Sequence, residues 1–151
     1  MELRDLLALL RRHTLAVQAT VSAAGQPQAA VVGVAFTDDF EVIFDTLRST
    51  RKFQNLCRDP KVSLVIGGWQ EGDERTVQIE GQADEPVGGE LDFIRSSYYA
   101  AHPDGAKRAS WPGLTYVRVR PTWIRYSDYN ANPPQIIEYG AEQLALYKMT
   151  G

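Results

Sequence analysis

The sequence predicts a mainly β domain with flanking helices. Apolar residues alternate over several short segments, and compact turns separate these segments, for example between Ala23 and Pro27. Short turns join antiparallel neighbours, whereas parallel strands need long crossovers. A chain of 151 residues can bury a core without disulfides or structural metal. We therefore expect one domain, 1–151, forming a six- or seven-stranded antiparallel meander or barrel, with an N-terminal helix at 1–12 and a C-terminal extension at 128–151.

The first third of the chain has one helical pattern followed by strand patterns. The N-terminal stripe of leucines has the i, i+3, i+4, i+7 spacing of an amphipathic helix. Partial alternation predicts a strand at 15–21, and Val-rich runs bounded by turns predict strands at 29–36 and 42–46. The leucines of the helical stripe are Leu3, Leu6, Leu7 and Leu10.

A second helix is predicted at 50–58, and it ends at Asp59 because the residue before a proline is disfavoured in the helical region. Beyond it, strands are predicted at 61–66 and 75–83, and in the latter Val77 and Ile79 share one face. The later elements are a helix at 88–102, a loop at 103–112, strands at 115–120 and 123–127, and a short helix at 141–149. Pro121, between the last two strands, indicates a bulge or a sheet edge.

Composition narrows the classes of function. The net charge is -3 and the isoelectric point is near 5.4, which argues against a general nucleic-acid or anionic-membrane binder. The single cysteine, Cys57, excludes an intramolecular disulfide and a multi-cysteine zinc site, and its helical position favours a buried small hydrophobe. His13 and His102 form no metal-binding motif. No signal peptide or long apolar run is present, so a cytoplasmic protein is expected.

Basic residues concentrate in one segment of this acidic chain. The segment 48–61 holds five of the sixteen Lys and Arg residues, and Asp59 is its only acid. Thr46 ends a strand, and Thr50, Arg51 and Lys52 begin a helix. Hydroxyls, cations and free helix amides together suit a phosphate dianion. The alternative is a solvated basic loop in which Thr50 caps the helix.

Five spaced blocks in the chain resemble a known family. Over roughly 15–126 the sequence looks like the pyridoxamine 5'-phosphate oxidase-like, FMN-binding split β-barrel family. The blocks that carry this resemblance are Ile43-Phe44-Asp45-Thr46, Ser49-Thr50-Arg51-Lys52, Asn55-Leu56, Asp59-Pro60-Lys61-Val62-Ser63-Leu64 and Thr76-Val77-Gln78-Ile79-Glu80-Gly81.

The resemblance implies a split β-barrel, a cofactor and a set of ligand contacts. Thr46, Thr50, Arg51 and Lys52 would hold the FMN phosphate, and Asp45 and Thr76 would add weaker contacts. It also implies a homodimer whose flavin sites lie in crevices between subunits, acting on a small-molecule redox substrate.

Three departures separate this chain from true pyridoxamine phosphate oxidases. The family's Arg and Lys on the strand before the turn are absent from 29–35, its substrate-phosphate segment does not match 95–99, and its C-terminal Arg-x-His pair is missing. The expectation is therefore an FMN-binding oxidoreductase of the general-stress-type or uncharacterised branch. The alternatives are a reductase dependent on the deazaflavin F420, a non-catalytic flavin or haem carrier or a stress-linked binding protein, and a barrel that has lost its ligand.

Overall fold

The computed structural model describes residues 1–150 and consists of one eight-stranded sheet with helices around it. The first part contains α1 (Leu3–Leu10), β1 (Leu15–Val21), β2 (Pro27–Gly33), β3 (Ala35–Phe36), β4 (Val42–Leu47), α2 (Arg51–Arg58) and β5 (Lys61–Gly67). The second part contains β6 (Arg75–Asp84), α3 (Gly88–Ala101), α4 (Gly105–Arg108), β7 (Leu114–Asp128), β8 (Gln135–Gly140) and α5 (Ala141–Thr150).

The sheet is antiparallel and curls around its own core. Its strand order is β2-β1-β5-β6-β7-β4-β3, and β8 pairs with the second half of β7. The two edge strands, β2 and β3, are separated in the chain by Val34 alone. The sheet must therefore bend back until its edges approach, which confirms the predicted mainly β, barrel-like architecture with flanking helices.

Two hydrophobic clusters cover opposite faces of the sheet. The larger one lies inside the curl, where α1 closes one end with Leu6, Leu7 and Leu10 as the leucine stripe predicted. The smaller one lies outside, where Ile94 and Tyr98 of α3 pack against the far face of β3, β4 and β7. The first helix and α3 are thus confirmed as amphipathic elements that bury one face each.

The region around Pro121 contains a bulge within a single strand. Glu80 pairs with Trp123 and Gly81 pairs with Pro121, so the register shifts there by one residue. A Cβ at Gly81 would lie 2.4 Å from the Arg120 carbonyl oxygen, so only glycine permits this close approach. The predicted bulge is confirmed, but the prediction of two separate strands is wrong because β7 runs continuously from 114 to 128.

Two elements were absent from the sequence-based expectation. Residues 135–140 form β8, which pairs with β7 and lies within the predicted C-terminal extension. Residues 105–108 form a single helical turn inside the predicted loop. The short C-terminal helix is present as α5.

Helix α2 does not bury the face that carries Cys57, contrary to the expectation. Asn55 and Leu56 are buried, whereas Cys57 is exposed, so the prediction of a buried cysteine is wrong. The reason is that Asn55 hydrogen-bonds to side chains of β1 and β2, which fixes the rotation of the helix.

The outer face of β2, β1 and β5 carries a row of valines of which other elements of residues 1–150 leave two exposed. Val17 of β1 pairs with Val31 on one side and with Val65 on the other, which places three valines in one row. Val31 is 65% exposed and Val65 is 40% exposed. Contiguous exposed apolar surface is typical of an interaction site.

Within residues 1–150 no helix is long and apolar enough to cross a membrane. The cytoplasmic location stays a prediction. The same residues bring together no group of three His, Cys, Asp or Glu side chains suited to a metal ion.

Candidate functional site

The start of α2 is built by two threonine hydroxyls. Thr50 is the N-cap, with its Oγ1 accepting a hydrogen bond from the Phe53 amide and donating one to the Leu47 carbonyl oxygen at 2.9 Å. Thr46 Oγ1 lies 2.9 Å from Thr50 Oγ1. The end of β4 and the beginning of α2 are therefore joined at one point, where the first helical amides face outward.

A cleft of about 360 Å³ opens beside this helix start. Clefts of roughly 300–1,000 Å³ are typical of small-molecule sites. One wall belongs to the loop before α2 and its first turn, and the other belongs to the inner face of β1 and the adjoining part of β2. The residues that line the cleft are Gln18, Thr20, Gln28, Ala29, Ala30, Ser49, Thr50, Arg51 and Lys52.

The cations of the basic segment 48–61 differ in whether they form ion pairs. Arg48 pairs with Glu85 at 2.6 Å, and Lys61 pairs with Asp59 at 3.6 Å. Within residues 1–150, Arg51 and Lys52 have no carboxylate at ion-pair distance, and both line the cleft. Arg58, the fifth cation, has no carboxylate at ion-pair distance within the same residues and donates to the Val21 carbonyl oxygen and to Asn55 Oδ1. Two of the three cations without an ion pair therefore lie at the cleft.

Partial burial lowers the pKa of Lys52 below the ordinary lysine value, and the nearby Asp45 carboxylate opposes this effect. Desolvation disfavours the charged ammonium, so a bound anion at this position would restore the lost stabilisation. The electrostatics of the cleft therefore favour an anionic ligand.

Asp45 faces away from the cleft, toward α3 and α4. Its carboxylate accepts hydrogen bonds from the Tyr98 hydroxyl at 3.1 Å and from Arg108 Nε at 2.9 Å. Burial, followed by the Asp45 charge, raises the pKa of Tyr98. The Asp45 side chain thus holds α3 and α4 against β4.

Thr76 is also separated from the cleft within one chain. Val77 and Ile79 of β6 are buried inside the curl, and the alternation of the strand places Thr76 on the outer face with Gln78. Thr76 pairs with Gly67 and Ser127 across the sheet. The structure therefore brings together Thr46, Thr50, Arg51 and Lys52. Asp45 lies near Lys52 but does not line the cleft, and Thr76 lies on the other face of the sheet.

Sequence reasoning did not identify the second wall of the cleft. Gln18, Thr20 and Asn55 are each buried to at least 95%, and Gln28 is half-buried beside them. Their signal was the polar half of the alternation in β1, where Gln18 and Thr20 occupy alternate positions. That half faces the inside of the curl, and the apolar half faces outward.

These features define a curled antiparallel barrel with a cationic cleft at a helix N-terminus. Residues 3–128 match the family model described as pyridoxamine 5'-phosphate oxidase. The chain belongs to this family.

Curated relatives support the same assignment. The chain is 29% identical over 134 residues to a pyridoxine/pyridoxamine 5'-phosphate oxidase of Cupriavidus pinatubonensis, covering 83% of this chain and 60% of the relative. It therefore spans about three fifths of the length of such curated relatives.

Two solved structures share the split-barrel fold. A haem binding protein from Mycobacterium smegmatis superposes with a TM-score of 0.78 at 19% identity, over 93% of this chain and 57% of that one. A Clostridium acetobutylicum protein related to general stress protein 26 superposes with a TM-score of 0.71 at 12% identity, over 94% and 96% of the two chains. At these identities the likeness concerns the fold.

Proposed function

We propose that the protein is an FMN-binding flavoprotein whose α2 cleft holds the FMN phosphate. The observation that carries the proposal is the pair of cations without an ion pair, Arg51 and Lys52, at the N-terminus of a helix capped by Thr50. Helix amides, hydroxyl groups and two positive charges are the donors that a phosphate monoester needs. Family membership supports a flavin as the molecule that carries this phosphate.

The proposed activity is oxidoreduction of a small molecule. FMN, when bound, supplies hydride and electron transfer, and the protein supplies position and electrostatics. In this role Arg51, Lys52 and the two threonines anchor one end of the cofactor. The proposal needs no acid or base from the chain at the cleft.

Pyridoxamine phosphate oxidation is not the activity that we propose. The segment 95–99 belongs to α3, where the Tyr98 side chain is buried and the Tyr99 hydroxyl lies 2.8 Å from that of Tyr116. These side chains are used in packing. The strand 29–35 also carries no cation.

A homodimer with the flavin between its subunits is part of the proposal. Thr76 and the α2 cleft lie on different faces of the sheet, so one ligand of ordinary size would not contact both in a single chain. In the proposed homodimer, Thr76 of the second copy would supply the contact to the first copy's flavin that Thr76 of the same chain does not reach. The row formed by Val31, Val17 and Val65 supplies the apolar surface for such docking.

A haem carrier is the second candidate, favoured by the structural likeness to the M. smegmatis protein named as haem binding. Histidine is an ordinary ligand of haem iron. Here His102 Nε2 is already 2.8 Å from the Val34 carbonyl oxygen, and His13 lies edge-on to Trp69. The free cations of the cleft favour the flavin.

The absorption spectrum of the purified protein, with mass spectrometry of the released ligand, tests the proposal. An oxidised-flavin spectrum and the mass of FMN are expected. Titration of ligand-free protein with FMN, F420 and haem then ranks the three cofactors. A protein that binds haem or F420 but ignores FMN would overturn the proposal.

Turnover separates an oxidoreductase from a carrier. Bound FMN should be reduced by a nicotinamide cofactor and reoxidised by a small-molecule acceptor over repeated cycles. A flavin that stays oxidised with either nicotinamide donor would favour the carrier.

FMN affinity should fall at alkaline pH because of Lys52. Its pKa is lowered by burial, so its ammonium loses its proton at a lower pH than an ordinary lysine does. The phosphate contact requires the protonated form, and affinity should therefore decline as the pH rises through that lowered pKa. FMN titrations between pH 7 and pH 10.5 would measure the decline. The Lys52→Arg variant should keep its affinity across this range, and identical profiles would contradict the assignment.

A further inference from the structure

The wall of the cleft opposite Arg51 and Lys52 carries neutral polar groups. Gln18 and Thr20 of β1 face into the curl, and Gln28 of β2 pairs with Thr20 across the sheet. None of these side chains carries a charge, so this wall and the cationic wall differ in the chemistry that they recognise.

The Gln18 side chain is the strongest feature of this neutral wall. It is 1% exposed, and its Oε1 atom has no hydrogen-bond partner within residues 1–150. An unpaired buried amide oxygen is unfavourable in a folded protein. A hydroxyl group of a bound ligand would supply the missing partner.

The sheet register explains why Gln18 has no partner. Gln18 lies directly opposite Ala30, and opposed side chains on one face of an antiparallel pair are roughly 5 Å apart at Cβ. Alanine has no polar group that could bond to the amide. Both residues line the cleft, and the Oε1 atom is buried in the ligand-free chain, so the Gln18 amide must turn toward the cleft to contact a ligand there.

The hydrogen bonds around Asn55 determine which donors and acceptors of Thr20 and Gln28 remain available to a ligand. Arg58 can only donate, and its Nη2 lies 3.2 Å from Asn55 Oδ1. The Asn55 amide nitrogen therefore donates to Thr20 Oγ1 at 3.0 Å and to Gln28 Oε1 at 2.9 Å. The Thr20 hydroxyl hydrogen and the Gln28 amide hydrogens remain available as donors.

This wall thus offers donors from Thr20 and Gln28 and an acceptor from Gln18. A phosphate dianion has no hydrogen to give to an amide oxygen. A hydroxyl group both donates and accepts, so it matches the mixed set. A ligand with hydroxyl groups on the chain next to its phosphate would use both walls of the cleft.

We propose that the β1–β2 wall is a polyol subsite, in which Gln18 accepts a hydrogen bond from a hydroxyl of the chain that carries the phosphate. This inference rests on the proposed function, because FMN carries its phosphate on a ribityl chain. It adds a preference for phosphorylated polyols over other phosphate esters. Gln18 is the residue that determines this preference.

Ribitol 5-phosphate and n-pentyl phosphate test the subsite, since they share a phosphate and a five-carbon chain and differ in hydroxyl groups. The wild-type protein should bind ribitol 5-phosphate at least about fivefold more tightly by calorimetry, an energy difference of roughly 1 kcal/mol. Gln18→Met keeps the length of the side chain and removes the acceptor. It should clearly reduce the preference without weakening n-pentyl phosphate binding, and the donors of Thr20 and Gln28 should retain the remainder.

Thermal unfolding separates this role from a structural one. Gln18→Met removes a buried unpaired oxygen, so the Tm of the ligand-free protein should be unchanged or higher by roughly 2–4 °C. A Tm that falls clearly would show that the amide stabilises the fold and would overturn the subsite. An unchanged polyol preference in the variant, or none in the wild-type protein, would also overturn it.

FMN titration of the wild-type protein distinguishes the two proposals. If FMN binds and Gln18→Met changes neither its affinity nor the polyol preference, the subsite is wrong and the flavin site stands. If FMN does not bind but the polyol preference is present and depends on Gln18, the subsite stands and the flavin assignment is wrong.

Discussion

FMN binding is expected to weaken at least about a hundredfold when Arg51 and Lys52 are both replaced by alanine. Both side chains line the cleft, and within residues 1–150 neither has a carboxylate partner. A charge-assisted hydrogen bond contributes roughly 1.5–3 kcal/mol, and the lower value applies because the Arg51 side chain is exposed. Two such contacts amount to about 3 kcal/mol, or roughly a factor of one hundred in Kd.

Riboflavin identifies which part of the cofactor the two cations contact. It lacks the phosphate, so its affinity should be nearly the same for the wild-type protein and for the Arg51→Ala/Lys52→Ala variant. Quenching of flavin fluorescence gives both dissociation constants under the same conditions. Equal losses for FMN and riboflavin would place the cations beside another part of the flavin.

A matched double variant controls for net charge. Arg12→Ala/Lys61→Ala also removes two positive charges, but neither side chain lines the cleft. Its effect on FMN should be small and should disappear at high salt, since exposed charges are screened. If this control weakens FMN binding as strongly as the site variant does, the phosphate site is not at α2.

The sequence predicts the half of the site that depends on local chemistry. A threonine before a helix, two cations in its first turn and a proline after its end all act over a few residues, and the structure places Thr50 as the cap beside Arg51 and Lys52. The amphipathic stripe of α1 and the alternation of β6 are local in the same way. These patterns are read without knowledge of the rest of the fold.

The other half depends on contacts between distant residues. Gln18 and Asn55 are 37 positions apart, and their burial follows from the curl of the sheet and the rotation of α2. The alternating pattern of β1 distinguishes the two faces of the strand, but it does not show which face lies inside the curl. The burial of its polar half reflects Asn55 and Leu56 of α2, which pack toward that face. The exposure of its apolar half creates the surface for which we propose a second copy.

Val65→Asp is expected to raise the dissociation constant of the proposed dimer at least about a hundredfold. Val65 lies in the row with Val17 and Val31 on the outer sheet face and is 40% exposed in the single chain. In a twofold interface each substitution occurs twice, so two carboxylates would lose their hydration together. The cost is several kcal/mol when no partner charge is present.

Light scattering and sedimentation at micromolar concentration would measure the change from dimer to monomer. Leu146→Asp is the matched control, because Leu146 is 62% exposed on α5, away from the outer face of β5. This control should remain dimeric. A wild-type protein that is monomeric at the same concentration would remove the intersubunit site.

The same variant connects assembly with cofactor binding. Thr76 and the α2 cleft face different sides of the sheet, so a flavin shared between two subunits loses part of its site when they separate. Val65→Asp should therefore weaken FMN binding, although the substitution is outside the cleft. Raising the protein concentration should recover affinity as dimers re-form, because assembly and binding are linked by mass action. A monomeric variant with wild-type FMN affinity would place the whole flavin site within one chain.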